Sequence, residues 1–238
     1  MKDAYSFHSS SESLQETYDL MYQTYSNIFE RTGLVFRAVL ADTGSIGGSH
    51  SHEFHVLADS GEDAIVFSTE SEFAANIEKA EALPSSSSDN HASQQKQEIA
   101  TPNTRSIEEV CAQLSVDPSQ TVKTLIVSVD NDENENKLYA LIVRGDHELN
   151  EVKAQKILGM DTELAFASEQ QIKDQLNCTV GSLGPVGLGI PLVVDHSAAA
   201  LTDFVCGANR EGFHLTGVNW QTDCNIETQA DIRNVVAG

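Results

Sequence analysis

Hydrophobic and polar positions in the first third of the chain predict one helix followed by a strand. Residues 9–33 carry apolar side chains at steps of three and four, a spacing that predicts a helix with one face for burial. Ser13 and Glu16 have the spacing of a capping box, and Gly33 suits the end of a helix. The segment 34–41 is short and rich in Val, Leu and Phe, so it predicts a strand.

The elements predicted after residue 41 are shorter, and a polar segment follows them. Residues 43–51 form a loop rich in glycine and serine, and two further strands are predicted near 54–58 and 64–68. Residues 71–83 predict a short helix. Residues 84–104 have little to bury, and their composition predicts a flexible linker.

Beyond the linker, helices and strands follow one another without a strict repeat. Asp117 followed by Pro118 is typical of a helix start. The predicted helices are 106–114, 150–158 and 169–176, and the predicted strands are 123–129, 138–143, 164–167 and 190–194. The acidic residues 130–136 predict a hairpin turn. This order favours an α+β fold over a doubly wound sheet.

Composition places the chain among globular proteins with an acidic surface. Its 238 residues include 14 Lys and Arg against 36 Asp and Glu, a net charge of −22, and 40% of the residues are hydrophobic. No run reaches the roughly 18 apolar residues of a membrane helix. The N-terminus has no apolar core of a signal peptide, so we expect a cytoplasmic protein without a membrane partner.

One histidine cluster invites a metal interpretation. His50, His52 and His55 have the H-x-H-x-x-H spacing of binuclear metallohydrolases. That motif also needs an aspartate where this chain has Phe54, and in a strand His55 would point away from the other two. The sequence therefore predicts no metal site, although a metal-dependent hydrolase stays an alternative.

Polar residues at predicted strand ends supply other candidates. Lys123 begins one strand, residues 144–147 follow the next, and glycines cluster at 181–185. A lysine and an arginine here could anchor a phosphate, or they could form surface salt bridges with Glu148 and Asp146. The sequence contains no local signature of a catalytic triad, and its four cysteines form no C-x-x-C motif.

Several of these segments together resemble bacterial-type prolyl-tRNA synthetase, a class II aminoacyl-tRNA synthetase. Residues 1–8 are similar to the second half of its motif 2, and residues 36–54 to its proline-site strand and loop. The editing domain inserted in that enzyme is matched by residues 121–125, 144–150, 181–185 and 207–209 with His214. Residues 230–238 resemble the point where the synthetase core resumes.

The resemblance implies four regions. Residues 1–83 would be part of the antiparallel class II core, 84–104 a linker, 105–225 a YbaK/prolyl-tRNA deacylase-like editing domain, and 226–238 a return to the core. Motif 1, the first half of motif 2, motif 3 and the anticodon-binding domain have no counterpart. We therefore expect a synthetase fragment that does not ligate proline to tRNA by itself.

The complete enzyme of this family uses ATP and Mg²⁺ for ligation, binds proline and is expected to be a homodimer. Its inserted domain hydrolyses alanine mischarged on the proline tRNA, tRNA(Pro), and needs no cofactor. The resemblance implies these catalytic positions: Lys123, Gly181, Ser182, Leu183, Gly184, Pro185 and His214. It implies these substrate-binding positions: Gly47, Gly48, His52, Glu53, Phe54, Arg144, Asp146 and Asn209. The alternative is a non-catalytic fragment that binds tRNA or a partner and is active only with the rest of the synthetase.

Overall fold

A computed structural model of the protein describes residues 5–43, 48, 50–58, 60–61, 64–83, 92–130 and 136–236. The chain divides into two compact units, Met1–Ala80 and Glu81–Gly238. The mixture of helices with largely antiparallel strands confirms the α+β class. Among the described residues, no helix is both long and apolar enough to cross a membrane.

The first unit begins with the predicted helix, α1, which spans Ser11–Arg31. Its N-cap is Ser10, whose hydroxyl accepts a hydrogen bond from the Ser13 amide at 3.3 Å, so the predicted capping box at Ser13 is wrong. Four serines stand near this end, at positions 9, 10, 11 and 13, and the pattern alone does not choose among them. Gly33, with φ of 72°, ends the helix as predicted.

A four-stranded sheet completes the first unit. Its strands are β1 (Phe36–Leu40), β2 (His52–Val56), β3 (Ile65–Phe67) and β4 (Ala74–Asn76), in the order β2-β1-β4-β3. The β1 and β4 strands are parallel, so this sheet is mixed, and the antiparallel class II core expected from the resemblance is not shown.

The apolar face of α1 is less buried than predicted. Phe29 stacks on Phe36 and Phe54 with ring centroids 5.1 and 5.8 Å apart, which fixes the helix on the sheet. No described residue of α1 is fully buried, and Leu14 and Ile28 remain 52% and 49% exposed. Periodicity locates an apolar face, but it does not state how much of that face is covered.

The helix predicted over 71–83 is replaced by strand β4 and a turn. Ala74 and Ala75 are buried where β4 lies between β1 and β3. The Asn76 side chain then accepts a hydrogen bond from the Lys79 amide at 3.0 Å and closes the turn. Pairing on both sides of β4 outweighs the helix propensity of its alanines.

The second unit contains the remaining elements in mixed order. Its helices are α2 (Ile107–Leu114), α3 (Glu151–Ile157), α4 (Glu169–Leu176) and α5 (His196–Ala199), with a 3-10 turn at Pro118–Gln120. Its strands are β5 (Gln97–Ala100), β6 (Val122–Asp130), β7 (Asn136–Arg144), β8 (Ala165–Phe166), β9 (Leu192–Asp195), β10 (Phe204–Gly207), β11 (Phe213–Val218) and β12 (Thr228–Ala230). The elements predicted between 106 and 194 are confirmed, apart from the turn at 131–135, which lies outside the described residues.

Two sheets organise this unit. One has the order β12-β9-β7-β6-β8 and the other the order β10-β11-β5. One face of the larger sheet packs Val122, Ile126 and Ile142 with Phe204 and Cys206 of β10. The other face packs Val127, Leu141 and Val143 with α3 and the buried Ile232. The alternating side chains of β6 and β7 therefore serve two cores.

The linker predicted over 84–104 is partly wrong. Residues 84–91 lie outside the described residues, but Gln97–Ala100 form β5 and pair with β11. Asp203 accepts hydrogen bonds from the amide and hydroxyl of Ser93 at 2.8 and 2.7 Å. Non-local pairing, which composition does not encode, orders this polar segment.

Residues 226–238 were expected to return to a synthetase core, but their described part packs in the second unit. Strand β12 is parallel to β9, and the Asn150 amide donates to the Ile232 carbonyl at 2.8 Å. Ile232 is fully buried. The larger sheet therefore extends beyond the predicted boundary at residue 225.

Candidate functional site

A cavity of about 250 Å³ opens at the start of β6, in the second unit. Its walls come from the start of α2, the loop around Gly181, the end of β10, the start of β11, and the first residues of β6. The lining residues important to the chemistry are Arg105, Lys123, Thr124, Gly181, Leu183, Cys206, Gly207 and His214. The structure thus brings together four of the predicted catalytic positions, Lys123, Gly181, Leu183 and His214.

The glycine loop packs backbone against backbone. A Cβ on Gly184 would lie 1.9 Å from the Gly207 carbonyl oxygen, and a Cβ on Gly207 would lie 2.3 Å from the Leu183 carbonyl oxygen. Gly181 has φ of 97°, and a Cβ there would meet the Arg105 Cα at 3.0 Å. Only glycine permits these approaches, which is why the cluster recognised in the sequence has this composition.

Asn209 braces this loop from the side. Its Oδ1 accepts from the Gly184 amide at 2.8 Å, and its Nδ2 donates to the Val186 carbonyl at 2.9 Å. Its own amide donates to the Ser182 carbonyl at 2.8 Å. Asn209 was predicted to bind substrate, and in the structure it holds the loop that lines the cavity.

Some backbone amides of the glycine loop donate a hydrogen bond within the protein, and others have no acceptor. The Ser182 amide donates to the Thr179 carbonyl at 3.3 Å, the Gly184 amide donates to Asn209, and Pro185 has no amide hydrogen. Within the described part of the chain, the amides of Gly181 and Leu183 have no hydrogen-bond acceptor, and both residues line the cavity. They are the donors that could stabilise a developing oxyanion. Ser182 is buried and accepts from the Gly212 amide at 3.4 Å through its hydroxyl.

His214 forms the inner polar wall. It is 5% exposed, and its Nδ1 lies 2.6 Å from the hydroxyl of the fully buried Thr101. Burial lowers the pKa of the imidazole, so His214 is neutral at neutral pH. Its position is set by β11, where it pairs with Gly207 and Ile99.

Lys123 is the basic group of the β6 wall. Its Nζ lies 3.6 Å from the carboxylate of Glu148, whose side chain is 81% exposed. An ion pair with so exposed a partner contributes little to stability, on the order of 0–1 kcal/mol. A phosphate could therefore replace Glu148 at small cost.

Arg144 and Asp146 do not line the cavity. The Arg144 guanidinium binds the Asp146 carboxylate at 2.6 and 2.9 Å and contacts His147 Nε2 at 3.0 Å. His147 Nδ1 lies 2.9 Å from the hydroxyl of Ser197, and this hydroxyl donates a hydrogen bond to the carboxylate of the buried Asp195. This network braces the region between β7 and β9, which agrees with the salt-bridge interpretation that the sequence left open.

The predicted substrate-binding residues of the first unit lie in and near β2. His52 Nδ1 is 2.7 Å from the Tyr18 hydroxyl, and Glu53 contacts His55 at 3.0 Å. Phe54 packs on α1, and Gly48 has φ of 111°. Gly47 lies outside the described residues.

His52 and His55 belong to opposite faces of β2, because His52 contacts Tyr18 while His55 pairs with Glu53. In the part of the chain that the structure describes, no group of three or more His, Cys, Asp or Glu side chains could hold a metal ion.

Sequence reasoning missed several residues of the site. Thr101 lies in the segment interpreted as linker, and nothing in its spacing marks it. Thr124 carried a usable signal, because it occupies an inward position between Val122 and Ile126, where the strand pattern calls for an apolar residue. Arg105 and Cys206 gave no signal.

The fold and this cavity define a mixed α+β domain with a small, partly polar binding site. A family model for the aminoacyl-tRNA editing domain matches residues 101–223, more than half of the chain. The chain belongs to this family. Membership implies a mischarged aminoacyl-tRNA as substrate and hydrolysis of its ester as the reaction.

Solved structures show weaker similarity. A hypothetical protein is 27% identical over 59% of this chain and 92% of its own, with a TM-score of 0.47. A candidate trans-editing enzyme for prolyl-tRNA synthetase is 18% identical over 59% of this chain and 87% of its own, with a TM-score of 0.46. The family assignment rests on the family model alone.

Proposed function

We propose that this protein hydrolyses the ester of alanine mischarged on tRNA(Pro). One observation carries the proposal: Lys123, His214, and the two residues with unpaired amides, Gly181 and Leu183, all line one cavity. Its volume of about 250 Å³ lies below the roughly 300–1,000 Å³ of typical small-molecule pockets. A cavity of this size suits an aminoacyl group better than a nucleotide.

The reaction needs a nucleophile, and the cavity favours water over a protein group. Cys206 is the thiol in the wall, and burial raises its pKa far above neutrality, so it stays protonated. Water attacks the carbonyl carbon, the bond from this carbon to the terminal ribose oxygen breaks, and the ribose oxygen leaves with a proton. The amides of Gly181 and Leu183 would bind the oxyanion of the intermediate.

The other groups position the substrate. Lys123 would bind the 3′ end of the tRNA, exchanging Glu148 for a phosphate. The neutral His214, held by Thr101, would close the inner end of the cavity against larger side chains. An editing site is useful because a proline pocket rejects the smaller alanine by only about 1–3 kcal/mol.

We also propose that this chain is part of a prolyl-tRNA synthetase. The similarity of residues 36–54 to a proline-site strand and loop supports a prolyl-tRNA synthetase in which His52, Glu53 and Phe54 contact proline. Ligation would then need ATP, Mg²⁺ and the synthetase motifs that the resemblance does not cover, in a dimeric cytoplasmic enzyme, whereas editing by the second unit would need no cofactor.

The test is release of alanine from Ala-tRNA(Pro) without ATP and with a chelator present. We expect the wild type to hydrolyse this ester and to leave Pro-tRNA(Pro) intact, and Lys123→Ala to lose most of the activity. Lys137→Ala is the matched control, because Lys137 is an exposed lysine of β7 outside the cavity. A folded wild type without activity would contradict the proposal and favour a fragment that only binds tRNA or a partner.

A further inference from the structure

The wall of the cavity contains a hydroxyl with no partner. Thr124 Oγ1 is buried and has no hydrogen-bond partner among the residues that the structure describes. The residue itself is partly exposed and lines the cavity beside Lys123 and Leu125. A buried hydroxyl without a partner is costly and rare in folded proteins, so its retention needs a reason.

The other hydroxyls of the cavity wall already form hydrogen bonds within the protein. The Ser106 hydroxyl accepts from the Glu109 amide at 3.3 Å and caps α2. The Thr121 hydroxyl donates to the Pro118 carbonyl at 2.9 Å. Thr124 is therefore the hydroxyl-bearing residue of the described lining whose donor and acceptor capacity are both free.

An aminoacyl ester has two polar functions to satisfy when it enters this cavity. The ester carbonyl can take the amides of Gly181 and Leu183. The α-amino group needs an acceptor, and the described lining contains two cations, Arg105 and Lys123, but no carboxylate. An amino group buried without an acceptor would oppose binding.

We infer that Thr124 accepts a hydrogen bond from the α-amino group of the aminoacyl substrate, an inference that rests on the proposed function. A rotation about χ1 exchanges the positions available to the hydroxyl and the methyl group of threonine. Because Oγ1 has no partner in the free protein, turning it toward the substrate breaks no hydrogen bond. Thr124 thus selects esters of amino acids over esters of simple carboxylic acids.

The test compares alanyl and propionyl esters of tRNA(Pro), which differ only in the α-amino group. Single-turnover kcat/KM is measured for the wild type and for Thr124→Val, which replaces the hydroxyl by a methyl group of similar size. The ratio of variant to wild type for each ester cancels the different intrinsic reactivities of the two esters. We expect a loss of about tenfold or more for the alanyl ester and less than about twofold for the propionyl ester.

Two variants control for structural effects. Thr124→Ser keeps the hydroxyl and should retain the preference for the alanyl ester. Ser128→Ala removes the other buried hydroxyl without a partner on the same face of β6, outside the cavity, and should leave both rates unchanged. Thr124→Val removes a hydroxyl that has no partner. The denaturation midpoint of this variant should therefore not lie below that of the wild type.

The outcomes separate this inference from the proposed function. A wild type that hydrolyses neither ester overturns the proposed function and this inference with it. An active wild type with Thr124→Val unchanged, or equally impaired on both esters, overturns the role of Thr124 and leaves the hydrolytic function standing.

Discussion

The hydroxyl of Thr101 lies 2.6 Å from Nδ1 of His214, and the two residues come from segments 113 positions apart. Thr101 follows β5 and is fully buried, and His214 lies on the neighbouring strand β11. This hydrogen bond fixes the orientation of the imidazole and leaves Nε2 as its other polar atom. The inner wall of the cavity therefore depends on the polar segment that precedes α2.

Replacing Thr101 by valine should impair hydrolysis more than it impairs folding. The change removes the partner of Nδ1 but keeps the size of the side chain, so we expect kcat to fall about tenfold or more. Steady-state hydrolysis of Ala-tRNA(Pro) at saturating substrate measures this effect. Thr101→Ser keeps the hydroxyl and should retain activity, and equal losses in both variants would contradict the assigned role.

Stability should fall as the pH falls below about 6.5. Burial lowers the pKa of both His214 and His147 from the ordinary 6.5, with Arg144 and Arg233 adding to the effect at His147. The folded state holds these groups neutral, whereas the unfolded chain takes up protons below 6.5, so acid favours unfolding. Each histidine can contribute at most about 1.4 kcal/mol per pH unit.

Urea denaturation at pH 7.5, 6.5 and 5.5 tests this dependence. Replacing His147 or His214 by glutamine removes one titrating group and should flatten the pH dependence of the free energy of unfolding. A dependence that is unchanged in both variants would show that other groups cause it.

Gly184→Ala should disrupt the site. The added Cβ would lie 1.9 Å from the Gly207 carbonyl oxygen, so the loop must move away from β10. We expect a loss of more than about 2 kcal/mol in the free energy of unfolding, together with loss of hydrolysis. Gly187→Ala is the control, since φ of 69° strains it by about 1 kcal/mol but its Cβ meets no atom within 4 Å. Similar losses in the two variants would contradict the close approach.

Arg105→Ala should weaken tRNA binding without slowing the chemical step. The Arg105 side chain lines the cavity, is 78% exposed and pairs only loosely with Glu211 at 3.9 Å. In a chain with a net charge of −22, its loss should raise KM several-fold and leave kcat unchanged. Arg210→Ala is the control, because that guanidinium stacks on Phe213 at 3.4 Å and pairs with Glu98. A change confined to kcat would place Arg105 in the chemistry instead.

Asp203→Ala should release the segment before β5. Desolvation raises the pKa of this carboxyl, but hydrogen bonds from Asn219, Ser93 and the Gln94 amide outweigh it and bring the pKa to about 2. Loss of these bonds should cost roughly 1–2 kcal/mol and increase amide hydrogen exchange at Ser93 and Gln94. Asp174→Ala, on an exposed face of α4, is the control. If amide exchange at Ser93 and Gln94 stays unchanged in Asp203→Ala, Asp203 does not hold this segment.

The sequence was sufficient where local chemistry decides the structure. Helix α4 spans the predicted residues 169–176, because Ser168 and Gln171 form a capping box at its start and Asn177 ends it in the left-handed conformation. Asp117 and Pro118 start the 3-10 turn in the same local way. The glycines at 181 and 184 could be recognised because no other residue fits their backbone contacts.

Long-range pairing decided the rest. Strand β5 forms from a polar segment because β11 offers it an edge, and β4 replaces a predicted helix because strands flank it on both sides. The sequence by itself determined the α+β class, the helix end at Gly33, the 3-10 turn at Asp117 and Pro118, and the motifs that identify an editing domain. Only the tertiary structure placed Thr101 against His214 and left Thr124 without a partner, because such contacts join residues whose separation along the chain carries no periodic signal.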